Sequence, residues 1–154
     1  MDEKRADLGL LILRLTGGLL AFKHGWGKLV RLAGGEGRFV DSVGGLGFPA
    51  PEFFAWAAAI AEISGILIVI GLLTRICAAL AAFTTGVAAF LRHHAHDQFL
   101  AWLGWRDVPP DRLEEWGNPE LALVHFFAFA AIVLLGPGRW SLDAAIRRRW
   151  KKRK

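Results

Sequence analysis

One cysteine, Cys77, is all that a chain of 154 residues contains. No intrachain disulfide can form, and the absence of a Cys-x-x-Cys pair argues against dithiol–quinone chemistry. Charge is scarce in four places. Of 19 Lys/Arg and 14 Asp/Glu, only Arg14 and Glu62 fall within the apolar stretches 8–22, 53–73, 76–91 and 121–135. A soluble helix carries a charged face along its whole length, and these segments have none. There is also no phosphate-cradling glycine loop, no nucleotide fingerprint, no Ser/His/Asp order suited to a nucleophile and no repeat of fixed period. The lack of an obvious inverted repeat weighs against a small-solute carrier.

What is present points to a membrane. Hydrophobic residues make up 54% of the chain, and the mean hydropathy is +0.36. The pattern predicts an all-α integral membrane protein, a four-transmembrane-helix bundle in a single domain over 1–154. Its spans are expected near 8–30, 52–71, 75–91 and 119–135. A cleaved signal peptide is the other reading of the first segment. Arg14 interrupts its apolar run, and no small-x-small cleavage site follows, so the segment reads as a retained span. Six glycines between Gly34 and Gly47 exclude a long helix from 31–50, although Arg38–Val43 can form a short one. Pro51 suits a first helical turn. Thr74 reads as the N-cap of the third span, and the Leu72-Leu73-Thr74 link makes spans two and three an antiparallel hairpin. Residues 92–118 form the largest polar loop. Asn118-Pro119-Glu120 starts the last span, Gly136-Pro137-Gly138 stops it, and Ser141 is placed to cap a final basic helix over Leu142–Trp150.

Segment 139–154 holds eight Lys/Arg against Asp143 alone. Beside a span, such a tail reads as a contact with anionic lipid headgroups rather than with nucleic acid. By the positive-inside rule both termini are cytoplasmic, and the loops 31–50 and 92–118 face outward. Trp26, Trp102, Trp105 and Trp116 then lie at the outer interface, with Trp140 and Trp150 at the inner one.

Arg14 and Glu62 stand out because ionisable residues within spans are costly and have partners. At 1.5 Å per residue, Arg14 lies about 9 Å and Glu62 about 13 Å from the inner edge, so the two are expected to pair. The pair is either a structural ion pair or a proton-handling or ligand-binding carboxylate with its partner. The faces around them, Gly17, Gly18, Ala21 and Gly25 on one helix and Ala55, Ala58 and Gly65 on the other, are small and read as helix-packing surfaces. His24, Lys28, Glu62, Glu120 and His125 are candidates to line a quinone or proton site. His24, His93, His94 and His96 are a candidate metal or haem ligand set, although His-His-x-His matches no fixed zinc spacing.

The ordered motifs Leu-Ile-Leu-Arg-Leu (11–15), His-Gly-Trp-Gly-Lys-Leu (24–29), Gly-Phe-Pro-Ala-Pro (47–51), Ala-Glu-Ile-Ser-Gly-Ile-Leu (61–67), Gly-Leu-Leu-Thr-Arg (71–75), Glu-Leu-Ala-Leu (120–123) and Gly-Pro-Gly-Arg-Trp-Ser-Leu-Asp (136–143) resemble the DoxX family of bacterial membrane proteins. The resemblance implies a four-helix inner-membrane protein. It also implies a link to redox chemistry, since DoxX/DoxD proteins are membrane subunits of thiosulfate:quinone oxidoreductase or parts of complexes handling oxidative and thiol stress. The expected function is therefore a membrane subunit of a quinone-linked complex, working with a protein partner or a second copy of the chain. A non-catalytic scaffold is the alternative, and a solute carrier the third reading.

Overall fold

The computed structural model describes residues Glu3–Arg153, and among them all regular structure is helical. A nearly continuous N-terminal helix comprises α1 (Glu3–Leu20), a π turn over Ala21–Gly25 and α2 (Trp26–Ala33). The short α3 (Arg38–Gly45) follows. Next come α4 (Pro51–Ile63) and α5 (Gly65–Ile70), two parts of one apolar rod interrupted at Ser64, whose hydroxyl donates to the Ala61 carbonyl at 2.7 Å. α6 (Thr74–Val87) runs into a second π turn, Ala88–Arg92. The expected polar loop 92–118 contains two helices, α7 (Ala95–Trp102) and α8 (Pro110–Trp116). α9 (Glu120–Leu135) and α10 (Leu142–Lys151) complete the chain.

Two helices among the described residues, Pro51–Ile70 and Thr74–Arg92, are long and apolar enough to cross a membrane. A third crossing is available only if α8 and α9, bent 50° against each other, act as one broken span. α1 carries Glu3, Lys4, Arg5, Asp7 and Arg14 and is not among these helices.

α6 packs along α9, and α1 lies against α5 and α9. Their shared core holds Leu20, Ile68, Cys77, Ala81, Phe129 and Ile132. α3 folds over α2 and α4 and seals a smaller core of Leu32, Val43, Ala55 and Ala59.

The tail end of the bundle is closed by long-range polar contacts. The Thr74 N-cap expectation is corrected here. Thr74 is the first helical residue, preceded by Leu73 in the left-handed region at φ 50°. The cap is Asp143, whose carboxylate accepts from the Leu73 N–H at 2.9 Å, the Thr74 N–H at 3.0 Å and the Thr74 hydroxyl at 2.8 Å. Ser141 caps α10 as its sequence position predicts, its hydroxyl accepting from the Ala144 N–H at 3.2 Å. Asp7 accepts from the Arg139 N–H at 2.8 Å, which ties the start of α1 to the same corner.

The expected Arg14–Glu62 pair does not form. Arg14, 1% exposed, donates instead to the carbonyls of Pro137 at 2.9 Å and Trp140 at 2.6 Å. The helix register explains this. Gly17 of α1 meets Gly65 of α5, so in these antiparallel helices Arg14 lies level with Ile68, about 9 Å along the axis from Glu62. Counting depth from each apolar run's edge missed that offset.

Candidate functional site

Two close helix approaches build the site. A β-carbon on Gly17 would lie 2.6 Å from the Gly65 carbonyl oxygen, and one on Gly25 would lie 2.7 Å from the Ile63 nitrogen. Only glycine lets backbones approach so closely. The second contact carries Lys28, one turn beyond Gly25, to Glu62. Lys28 Nζ donates to Glu62 Oε1 at 2.5 Å and sits 4.7 Å from the centre of the Phe39 ring. Glu62 is 5% exposed, so its carboxylate is a buried charge paired by a lysine that stays partly exposed.

Around this ion pair lies a cavity of about 470 Å³. His24 and Lys28 line it from one helix, Ala58 and Glu62 from α4, Thr84 and Ala88 from the α6 rod, and Ala122 and His125 from α9. Each set follows helical spacing, so four helices turn one face inward. α3 and the chain after it cover the space with Phe39, Val43 and Phe48. The alanines at 57, 58 and 61 line the cavity. Their small side chains leave room there. On the rim, Leu80, Phe83 and Leu121 are also exposed on the outside of the bundle, so the mouth opens onto an apolar surface.

Two acceptors in the cavity wall have no partner among the described residues. Glu62 Oε2 is buried without a hydrogen bond, and so is His125 Nε2. The other nitrogen of His125, Nδ1, lies 2.8 Å from the Leu121 carbonyl. A carbonyl only accepts, so Nδ1 carries a proton, and the tautomer with its proton there leaves a lone pair on Nε2. An unsatisfied buried acceptor costs about 1–3 kcal/mol. Two of them in one cavity wall match a ligand that brings two donors.

The candidate residues separate into groups. Glu62, Lys28, His24 and His125 come together at the cavity, and His93 joins them at its edge. Glu120 is exposed at the start of α9 and lies outside. The four-histidine ligand set does not assemble as expected. His24 and His93 face the cavity, and His93 Nδ1 is taken by the Trp116 carbonyl at 2.5 Å. His94 and His96 group with Asp97 elsewhere. Thr84, Phe39 and Phe48 were missed because no local motif marks them. The two π turns were missed as well. One carries His24 and the other carries Ala88 and Arg92, all of which line the cavity. Such turns cluster at functional sites, but their register shift leaves no compositional trace.

The chain matches the family described as DoxX over residues 9–94 and the one described as TQO small subunit DoxD over residues 52–154. It is similar to inner membrane protein YphA of Escherichia coli, 33% identical over 135 residues that cover 87% of each chain. Inner membrane protein YqjF of the same organism is 26% identical over 151 residues, 96% of this chain and 99% of that one. A Bacillus subtilis protein named "Putative oxidoreductase CatD" is 39% identical over 83 residues, 53% of this chain and 58% of that one. No solved structure gives a significant match. On the extent of these matches, and with its apolar helices gathered around a buried acid–base cavity, the chain belongs to the DoxX family of membrane proteins.

Proposed function

We propose that the protein is a membrane subunit of a quinone-linked redox complex, and that its cavity holds the head group of the quinone couple. The observation that carries this reading is the pair of unpartnered buried acceptors, Glu62 Oε2 and His125 Nε2. A quinol offers two hydroxyl donors to them, and Lys28 holds the Glu62 charge in place. The aromatic cover and apolar mouth suit a ring with a hydrocarbon tail running out into lipid. Two electrons from a partner subunit and two protons convert a quinone to its quinol, and the two new hydroxyls then donate to Glu62 and His125. The description of the DoxD family as a small subunit, and the oxidoreductase in the Bacillus relative's name, support the assignment.

In this reading the chain crosses the bacterial inner membrane four times with both termini in the cytoplasm. Glu3–Ala33 is the first crossing, its charged start on the inner side. The basic tail supports that orientation, since positive segments stay inside. The cavity then lies in the outer half. Cysteines at Trp105 and Trp150, in a Cys77→Ser background, test the topology. Labelling from outside is expected at 105 and not at 150, and the reverse pattern overturns the orientation.

The functional reading is tested by mass spectrometry of lipids bound to protein extracted mildly from its own membrane. Quinone or quinol is expected with the wild type and depleted in His125→Phe. Protein that folds normally and carries none would favour the scaffold reading.

A further inference from the structure

A second polar cluster, separate from the cavity, lies at the far end of the molecule from the tail. His94 Nδ1 stands 3.2 Å from Asp97 Oδ2, and His96 Nε2 stands 3.3 Å from Asp97 Oδ1. One ligand atom from each of the three residues falls within 4.8 Å of the others. A tetrahedral ion with ligand bonds of about 2.0–2.1 Å separates its ligand atoms by about 3.3–3.4 Å. Each histidine already stands at that distance from one carboxylate oxygen, His94 from Oδ2 and His96 from Oδ1. A triangle on one of those oxygens closes by rotation of the His96 side chain, which is 53% exposed.

The surroundings hold these groups in place. His94 adopts the left-handed conformation at φ 49°, one of two non-glycine residues with positive φ among those described. That turn reverses the chain before α7 and sets the His94 ring over Asp97 in the first helical turn. Trp116 stacks on the His94 ring with centroids 4.3 Å apart, which restricts its rotation. Asp97 is 5% exposed, so its carboxylate is fixed. Its charge is balanced by Arg106, which donates to Oδ1. The guanidinium and a bound cation would compete for the same carboxylate.

We propose that His94, His96 and Asp97 form a site for a divalent transition metal, with zinc the ion whose geometry they fit. The fourth position is left to water or an exogenous ligand, and Arg106 occupies the carboxylate when the ion is absent. Two imidazoles and one carboxylate favour zinc, copper or nickel over magnesium or calcium, which prefer all-oxygen shells. The site is independent of the quinone reading.

Equilibrium dialysis of untagged, full-length protein in detergent against Zn2+, with Mg2+ in excess, tests the proposal. One zinc per chain is expected. His94→Ala with His96→Ala should weaken binding by more than the roughly 10–100-fold typical of losing a supporting partner. Arg106→Gln, which removes the competitor, should tighten it. His24→Ala, which alters the cavity only, should leave it unchanged. Thermal melts of each variant establish that it folds. Zinc binding that survives loss of both histidines, or that weakens in Arg106→Gln, overturns the proposal.

Discussion

The two ends of the bundle each hold an acid and a base, and they use them in opposite ways. At the tail end, the Asp143 carboxylate accepts three hydrogen bonds, and Arg14 grips two backbone carbonyls. One donor there, Arg14 Nε, is left over. At the cavity, Glu62 uses one oxygen for Lys28 and leaves the other bare, and His125 does the same with its second nitrogen. The first arrangement is a clasp, because its partners lie within the chain. The second is half of a hydrogen-bond network, and in the proposed reading the quinol supplies the other half. Ionisable residues in a membrane protein are thus sorted by what remains unsatisfied rather than by their presence alone.

This contrast predicts that changes at the tail end cost stability and changes at the cavity cost ligand. Arg14→Leu strips two part-buried carbonyls of their donor and should have the largest effect, about 1–3 kcal/mol for each orphaned group. It is read as a lowered detergent melting temperature and faster proteolysis of the tail. Combined with Glu62→Leu the losses should add within about 0.5 kcal/mol, since the residues share no partner. A strongly sub-additive double variant would restore the direct pairing expected from the sequence.

Gly25→Ala comes next. Its β-carbon meets the Ile63 backbone, and overpacking of that kind costs about 1–3 kcal/mol. Because the backbones must part, Lys28 should also be drawn from Glu62 and bound quinone depleted. Thermal melts and lipid mass spectrometry together check both effects.

Asp143→Ala removes a helix cap and should cost about 0.5–2 kcal/mol. Burial pushes the Asp143 carboxyl upward, but hydrogen bonds from Thr74 and Leu73, with the charge of Arg147, hold it below the ordinary carboxyl value. A depressed folded-state value means the stabilisation is present above the unfolded pKa of about 3.9 and lost as pH falls through the folded one. Melting temperatures of wild type and Asp143→Asn should therefore converge in acid, separate as the pH rises towards about 4 and stay apart above it. Parallel curves would mean the carboxylate charge contributes nothing.

Glu62→Gln should be the mildest for folding, about 1 kcal/mol or less, because the amide oxygen still accepts from Lys28 and that lysine reaches solvent. A large loss of stability would make the cavity a second clasp and erase the contrast.

Much of this was legible in the sequence, and the gaps have physical causes. The apolar runs bounded α4, α5 and α6 closely, since Pro51 and Gly71 punctuate them. The short helix after Arg38 and the Ser141 cap also followed from local rules. Glu62, Lys28, His24 and His125 were each visible as polar groups in apolar context. Their partners were not. The Asp143 cap joins residues 69 positions apart, and the Arg14 grip spans more than 120. Helix register set these contacts, and it depends on where Gly17 and Gly65 interlock rather than on counts from span edges. The α7 and α8 helices stayed hidden in a stretch whose prolines and glycines read as loop.

The most direct test is a titration of the purified protein with a short-chain quinol and with the matching quinone. Both bare cavity atoms are acceptors, so the quinol should satisfy them and the quinone should leave them unpaired. At about 1–3 kcal/mol for each unfilled acceptor, the quinol should bind at least about tenfold tighter, a 1.4 kcal/mol difference. Glu62→Gln, whose amide adds a donor, should shrink that preference. Equal binding of the two forms, or tighter binding of the quinone, would contradict the account of the cavity.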